Sequence, residues 1–340
     1  MKLDVETMQY LEPEDYRCLT AIEQGMKNHE WVPMPLIERI ADIRRGGVSK
    51  IVNDLLRRKL VQHIGGRNDG YHLTYEGYDY LALHAFYKRG KLTGLGSKLG
   101  VGKEADIYMA QDADGNHLVV KFQRLGRTSF RAVKNKRDYH GNRKSPNWLY
   151  LSRLAALKEF AYMKVLYDNG FPTPTPVDVN RHAVVMSQVD GFNMNTIANM
   201  AHPEMVYDGL MALIVRMAQH GVVHGDFNEF NLLIGQDEKI TMIDFPQMLA
   251  IDHKEAREYF ERDVGCIQIV FKRKFGFEST KPAPQFDEVT EAIVMKDLAI
   301  RKEIRRSGIT DKISEMVSKA VREDEAEGGD EEDSAVNNSD

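Results

Sequence analysis

Two cysteines in 340 residues, Cys18 and Cys266, are too few for a disulfide framework. They lie far apart in helical-looking surroundings, and they read as reduced thiols in a reducing compartment. No apolar run approaches the ~18 residues that a membrane span requires. The opening Met1-Lys2-Leu3-Asp4-Val5-Glu6 has acids where a secretion signal carries its apolar stretch. The expectation is a soluble intracellular chain with no membrane partner. A strong charge of one sign is also missing from the bulk. The net charge of -5 has a local source, because nine acids and no base lie between Glu323 and Asp340, leaving 46 basic against 42 acidic residues elsewhere. A mildly basic body leaves a polyanionic partner open, and the acidic tail has the composition of a disordered segment. With 42% apolar and 29% charged residues, a fibrous or wholly disordered chain is excluded. At roughly 150 residues per domain, the length suggests two domains.

Residues 1–84 read as short helices closed by a hairpin. Leu19, Ile22 and Met26 recur at helical spacing, Pro33 and Pro35 interrupt the chain, and Leu36-Ile37-Ile40 opens a second helix that Gly46-Gly47 ends. Val48, Ile51, Val52, Leu55 and Leu56 mark a third helix, whose other face offers Ser49, Lys50, Asn53, Arg57 and Arg58. Leu60 to His63 alternates as a strand, Gly65 to Gly70 turns, and Tyr71 to Thr74 returns, with Thr74 placed to cap a further helix. Three helices, a two-stranded wing and another helix is the winged-helix order. The third helix and Arg67 on the wing are suited to nucleic-acid phosphates. The same face equally suits a protein-docking or packing module.

Residues 85–96, with Gly90, Gly94 and Gly96, form a junction, and four segments beyond it carry chemistry. In Gly100-Val101-Gly102-Lys103-Glu104 a glycine pair between strand-like runs lets backbone N–H groups close over phosphate oxygens. It is not a Walker A loop, and Ala105 stands where a protein-kinase loop has its third glycine. Val119-Val120-Lys121-Phe122 is a strand with one lysine, which needs an anion if buried and only water if at an edge. Glu159, in a helix whose apolar stripe runs from Leu151 to Met163, either pairs with Lys121 or lies at the surface. Finally, Asp226 and Asn231 lie five apart after Val222-Val223-His224-Gly225, and Asp244 follows Ile240-Thr241-Met242-Ile243. Asp226 suits orienting or deprotonating an acceptor oxygen. Asn231 and Asp244 supply neutral and anionic oxygens to Mg²⁺, a hard cation that stays on phosphates.

The spacing D-x4-N followed by I-D-F is similar to the catalytic and metal-binding loops of protein-kinase-like folds. Together with G-x-G-K-E-A-D-I-Y, H-G-D-F-N-E-F-N and I-D-F-P, it resembles the RIO family of atypical kinases, and the winged helix resembles its second subfamily. The resemblance covers residues 1–305. It implies an α+β chain in which the winged helix precedes a trimmed two-lobe protein-kinase-like domain: an N-lobe over 97–190 with a basic insert at 127–147, a C-lobe over 191–305, a helix over 306–322 and the tail over 323–340. It implies ATP and Mg²⁺, with phosphates under Gly100 to Glu104, Lys121 on them, and Glu159 orienting Lys121. Adenine would lie against a hinge at Met186, Ser187 and Val189. It also implies a pre-40S ribosomal particle, rRNA and ribosomal proteins, as partner, a chain monomeric when free, and a cytoplasmic location with nuclear passage an option.

Two departures from ordinary protein kinases matter. Gly225 stands where an arginine precedes the catalytic aspartate, and after Asp244 the chain enters a helical pattern over Lys254–Phe271 with no room for an activation loop. Peptide phosphorylation is therefore the poorer fit. A switching ATPase with Asp244 as acceptor of the γ-phosphoryl group is the better one. The insert, with seven bases from Arg127 to Lys144 against Asp138, reads as an rRNA or ribosomal-protein contact or as a solvated loop. Ser129 within it is a candidate autophosphorylation site, and Arg301 to Arg306 is a further basic contact or a solvated face. Two rivals remain. A small-molecule phosphotransferase of the aminoglycoside or choline type would lack the winged helix, and a nucleotide-stabilised RNA-binding scaffold would have no need of Lys121, Asp226, Asn231 and Asp244 together.

Overall fold

A computed structural model describes residues 10–43, 47–101, 105–125, 148–291, 299–310 and 313–319. Gly102, Lys103, Glu104, the insert at 127–147 with Ser129, and the tail at 323–340 lie outside these. The chain divides into two compact units, residues 1–99 with 108–116 and residues 100–107 with 117–340.

The first unit has helices α1 (Pro13–Gly25), α2 (Met34–Ala41) and α3 (Val48–Arg57), strands β1 (Val61–Ile64) and β2 (Gly70–Leu73), and helix α4 (Tyr75–Lys88). The apolar stripes meet as expected: Leu19, Ile22, Ile37, Val52 and Leu55 are fully buried. The wing pairs antiparallel from Val61↔Leu73 to Ile64↔Gly70, and Val32 bridges Tyr71 on the outer side of β2. The Thr74 hydroxyl accepts the Gly77 N–H at 3.1 Å, capping α4. Gly77 is required there, since a Cβ would fall 2.2 Å from the Leu60 carbonyl oxygen. Helix α4 continues past residue 84 because Phe86 is fully buried. With β3 (Gly94–Val101) starting early, the expected junction shrinks to 89–93.

In the second unit, β5 (His117–Gln123), β7 (Ala183–Ser187) and β6 (Pro176–Asn180) pair antiparallel in that order, with Lys121 opposite Val184. Strand β4 (Ala105–Gln111) leads into β5, and helix α5 (Trp148–Asp168) packs on β5, β6 and β7. The remainder is mostly helical: α6 (Pro203–Gln219), α7 (Ala256–Val270), α8 (Phe286–Glu291) and α9 (Ala299–Arg306). Helix α7 widens into a looser turn over Phe271–Phe275. Between α6 and α7 lie the short strands β9 (Val222–Val223), β10 (Leu232–Ile234), β11 (Ile240–Met242) and β12 (Leu249–Ala250); β9 pairs β12, while β10 pairs both β11 and β8 (Phe192–Asn193), which precedes α6. Their core includes Leu210, Ile214, Leu232, Met242, Phe260 and Ile267, all buried. These hairpins hold two loops, 224–231 and 243–248, that bear the acids singled out above. Cys18 and Cys266 are both free thiols, and among the described residues no helix is long and apolar enough to cross a membrane.

Candidate active site

Lys121 points inward from β5 between buried Val120 and Phe122 and is only 7% exposed. The edge-strand reading is thereby removed. Its ammonium lies 2.7 Å from Glu159 Oε1 and 2.7 Å from Asp244 Oδ1. Burial alone would lower the Lys121 pKa, but the two carboxylates outweigh it and the net shift is upward, so the side chain stays a cation. Glu159 is 1% exposed, not a surface residue, and its second oxygen accepts from the Gln123 side-chain amide. The α5 register accounts for this: Ala155, Ala156, Tyr162 and Met163 bury the same helix around it.

Asp226 is held from within its own loop. Asn228 Nδ2 donates to Asp226 Oδ1 at 2.8 Å, and Asn231 Nδ2 donates to Oδ2 at 2.6 Å and to the Asp226 carbonyl at 2.9 Å. Two amides thus fix the carboxylate plane. With its Nδ2 turned to Asp226, Asn231 keeps its side-chain oxygen for another partner. The Ile243 N–H donates to the Asn231 carbonyl at 3.0 Å, locking the second loop to the first. Asp244 follows with φ 68°, a left-handed conformation that costs a non-glycine residue energy and is typical of functional positions. Its side chain is 38% exposed.

Beneath the loop, Asp263 on α7 accepts the Gly225 N–H at Oδ2 and the Phe227 N–H at Oδ1, each at 2.9 Å. Neighbouring Arg262 donates to the Gly225 carbonyl. Burial pushes the Asp263 carboxyl up to about 7, and the two N–H donors oppose that rise. No motif announces Asp263; the one sequence signal is an acid within the apolar stripe Tyr259, Phe260, Val264, Ile267. Gly225 has φ 80°, and a Cβ there would lie 3.0 Å from the Gln247 carbonyl oxygen. The missing arginine thus has a steric explanation. His224 is packed between Phe227 and Phe245, and burial pushes its pKa down to about 4, so it is neutral.

The remaining expected residues fall less tightly. Gly100 has open space around it and precedes Val101, the last residue of β3. Met186 is buried and pairs Val119. The Ser187 N–H donates to the Thr175 carbonyl at 2.9 Å and the Ser187 hydroxyl accepts the Thr175 N–H at 2.9 Å. The Ser187 N–H is thus engaged within the protein, which leaves its carbonyl as the backbone group it could offer at a hinge. In the first unit Lys50, Arg57, Arg58 and Arg67 are all exposed, with Arg57 2.9 Å from Asp54. Among the described residues no cluster of three or more His, Cys, Asp or Glu side chains forms an all-protein metal cage. One carboxylate, Asp244, and one amide oxygen, Asn231, instead fit Mg²⁺ carried mainly by substrate phosphates.

Comparison with known proteins agrees with this geometry. A family described as the RIO domain matches residues 106–283, and one described as Rio2, N-terminal, matches residues 8–89. The chain is 53% identical to the serine/threonine-protein kinase rio2 of Dictyostelium discoideum over 82% of its own length and 53% of the relative's. It is 52% identical to RIO2 of Caenorhabditis elegans over 95% of its length and 60% of the relative's. The chain thus spans little more than half of those two relatives, whereas it covers 93% of the Schizosaccharomyces pombe rio2 at 43% identity. Among solved structures, a complex of the Rio2 kinase from Chaetomium thermophilum with ADP, Mg²⁺ and phosphoaspartate has a TM-score of 0.85 at 46% identity, covering 96% of this chain and 99% of that one.

Proposed function

The chain belongs to the RIO family, in the branch with the Rio2 N-terminal domain, and we propose that it is an ATP- and Mg²⁺-dependent atypical serine/threonine kinase whose working activity is ATP hydrolysis through an aspartyl-phosphate. The observation that carries this reading is the position of Lys121, shared at 2.7 Å between Glu159 and Asp244. A lysine so held is placed to meet nucleotide phosphates, and the Asp244 carboxylate beside it is placed to meet the γ-phosphoryl group. The phosphoaspartate in the Chaetomium thermophilum structure supports the same assignment by similarity.

In this reading Glu159 orients Lys121, and Lys121 neutralises phosphate charge. Asp226, fixed by Asn228 and Asn231, directs the acceptor and is placed to deprotonate the water that cleaves the acyl phosphate. The Asp244 carboxylate forms a bond to the γ-phosphorus while the bond from that phosphorus to the β-bridging oxygen breaks, and ADP leaves. Water then cleaves the acyl phosphate. Asn231 and Asp244 would hold Mg²⁺, which would supply charge neutralisation on the phosphate oxygens. Only residues 251–255 separate β12 from α7, so no activation loop or peptide platform intervenes.

The proposed setting is maturation of the small ribosomal subunit. The chain would bind pre-40S particles through Lys50, Arg57, Arg58 and Arg67, monomeric when free and chiefly cytoplasmic. ATP labelled at the γ-position tests the chemistry. Label should appear on Asp244, be released by hydroxylamine, and be absent from Asp244→Asn, which retains ATP binding. Label found only on a hydroxyl and stable to hydroxylamine would reduce Asp244 to a metal ligand.

A further inference from the structure

Lys158 immediately precedes Glu159 on α5, yet among the described residues it is paired with no carboxylate. Its side chain is fully buried. Among the described residues its ammonium has two neighbours, the Ser318 hydroxyl at 3.5 Å and the ring of Tyr162, whose centre lies 5.9 Å away. A buried ammonium that lacks an anion is costly, and nearly all buried lysines are paired. Burial pushes this one down to about 7. Its hydroxyl partner is itself only half-buried, in the helical turn over 313–319. That turn is pinned by Val317, which is fully buried against Leu125, Leu154 and Ala155. Ser318 is therefore held over Lys158 by packing that does not depend on their own long contact.

We infer that Ser318 and Lys158 form a phosphoserine site, in which a phosphate on Ser318 supplies Lys158 with an anion that none of the described residues provides. A protein kinase would transfer the γ-phosphoryl group of a nucleoside triphosphate. The Ser318 Oγ–P bond forms, the bond from that phosphorus to the β-bridging oxygen breaks, the diphosphate leaves, and the hydroxyl proton passes to that kinase's base. Modification takes place while the turn is undocked. On docking, a group of charge about -1.5 to -2 on the half-buried Ser318 meets the buried Lys158 ammonium, and such charge-assisted hydrogen bonds are the strong ones. The consequence reaches the catalytic apparatus through covalent continuity, since the staple bears on the backbone that presents Glu159 to Lys121. It does not depend on the chain's own activity.

The test is a cycle on the full chain with phosphoserine installed at 318. With Lys158 present, phosphate should raise Tm by about 2–4 °C. In Lys158→Met, which keeps the packing without the charge, it should give no rise. An equal shift in both backgrounds, or a fall with Lys158 present, overturns the site. Should Lys158→Met fail to fold, hydrogen exchange decides: amides over 313–319 should exchange more slowly with phosphate than without, and equal or faster exchange overturns the proposal. Phosphopeptide mapping of the chain from cells with phosphatases blocked checks occupancy, and an unmodified Ser318 there overturns it as a site of modification.

Discussion

The Ile243 N–H donates to the Asn231 carbonyl at 3.0 Å, so the loop that carries Asp226 and the loop that carries Asp244 are one mechanical piece. The Asp226 and Asp244 carboxylates are therefore carried on backbone segments tied directly to each other. The amide is donated by the residue directly before the left-handed Asp244, which fixes where that strained position begins.

Asp226→Ala should lower phosphoryl transfer by about 10²- to 10⁴-fold while ATP affinity changes little, because a positioned carboxylate acts chiefly in the transition state. Single-turnover hydrolysis alongside equilibrium nucleotide binding separates the two effects. Unchanged turnover would remove Asp226 from catalysis.

Lys121→Met should weaken ATP binding far more than adenosine binding, since only ATP brings phosphates. It should also cost about 3–5 kcal/mol of stability by leaving Glu159 buried without its cation. Adding Glu159→Gln should recover much of the stability and none of the ATP affinity. Denaturant melts of the three chains provide the check.

Gly225→Ala should destabilise the chain by about 1–3 kcal/mol, because alanine at φ 80° is strained and its Cβ would press on the Gln247 carbonyl. Restoring the arginine found in ordinary kinases should be at least as damaging. A Tm equal to that of the parent chain would contradict the assigned backbone.

The ordinary lysine pKa is 10.5 and burial lowers that of Lys158 to about 7, so the unfolded chain binds more protons between those values. The contribution of Lys158 to stability is therefore complete above about 10.5, and is lost as pH falls through about 7. Stability should rise with pH across that window, and Lys158→Met should flatten the rise. Parallel pH profiles for both chains would show that another group is responsible.

Replacing Lys50, Arg57, Arg58 and Arg67 by alanine should weaken RNA binding and make it less sensitive to salt. The logarithmic salt slope should fall by about one for each phosphate that is no longer neutralised. Nucleotide binding should be unaffected. RNA affinity that survives all four replacements would make the first unit a packing module.

Much of this molecule was legible from residue types alone. A lysine inside a valine-rich strand has to find an anion, and Lys121 finds Glu159; an apolar stripe of period 3.6 has to be buried, and Val52 and Leu55 are. Other features were not legible because they depend on where backbone groups end up. Asp263 looks like any acid in a helix until the Gly225 and Phe227 amides arrive above it. Nothing in the residue types shows that the Ser187 N–H is taken by the Thr175 carbonyl. Lys158 was hidden for a different reason: α5 is buried nearly all round, and periodicity cannot separate a lysine facing water from one facing a serine 160 residues away.

Lys121 lies 2.7 Å from both Glu159 and Asp244, so one ammonium serves a carboxylate on α5 and a carboxylate in the second loop. A phosphate that engages this ammonium competes with Asp244 for it, and a metal ion competes with the ammonium for the same carboxylate. Each arrival loosens the contact that opposes the other. Affinity for the ion and the nucleotide together should therefore exceed what either shows separately.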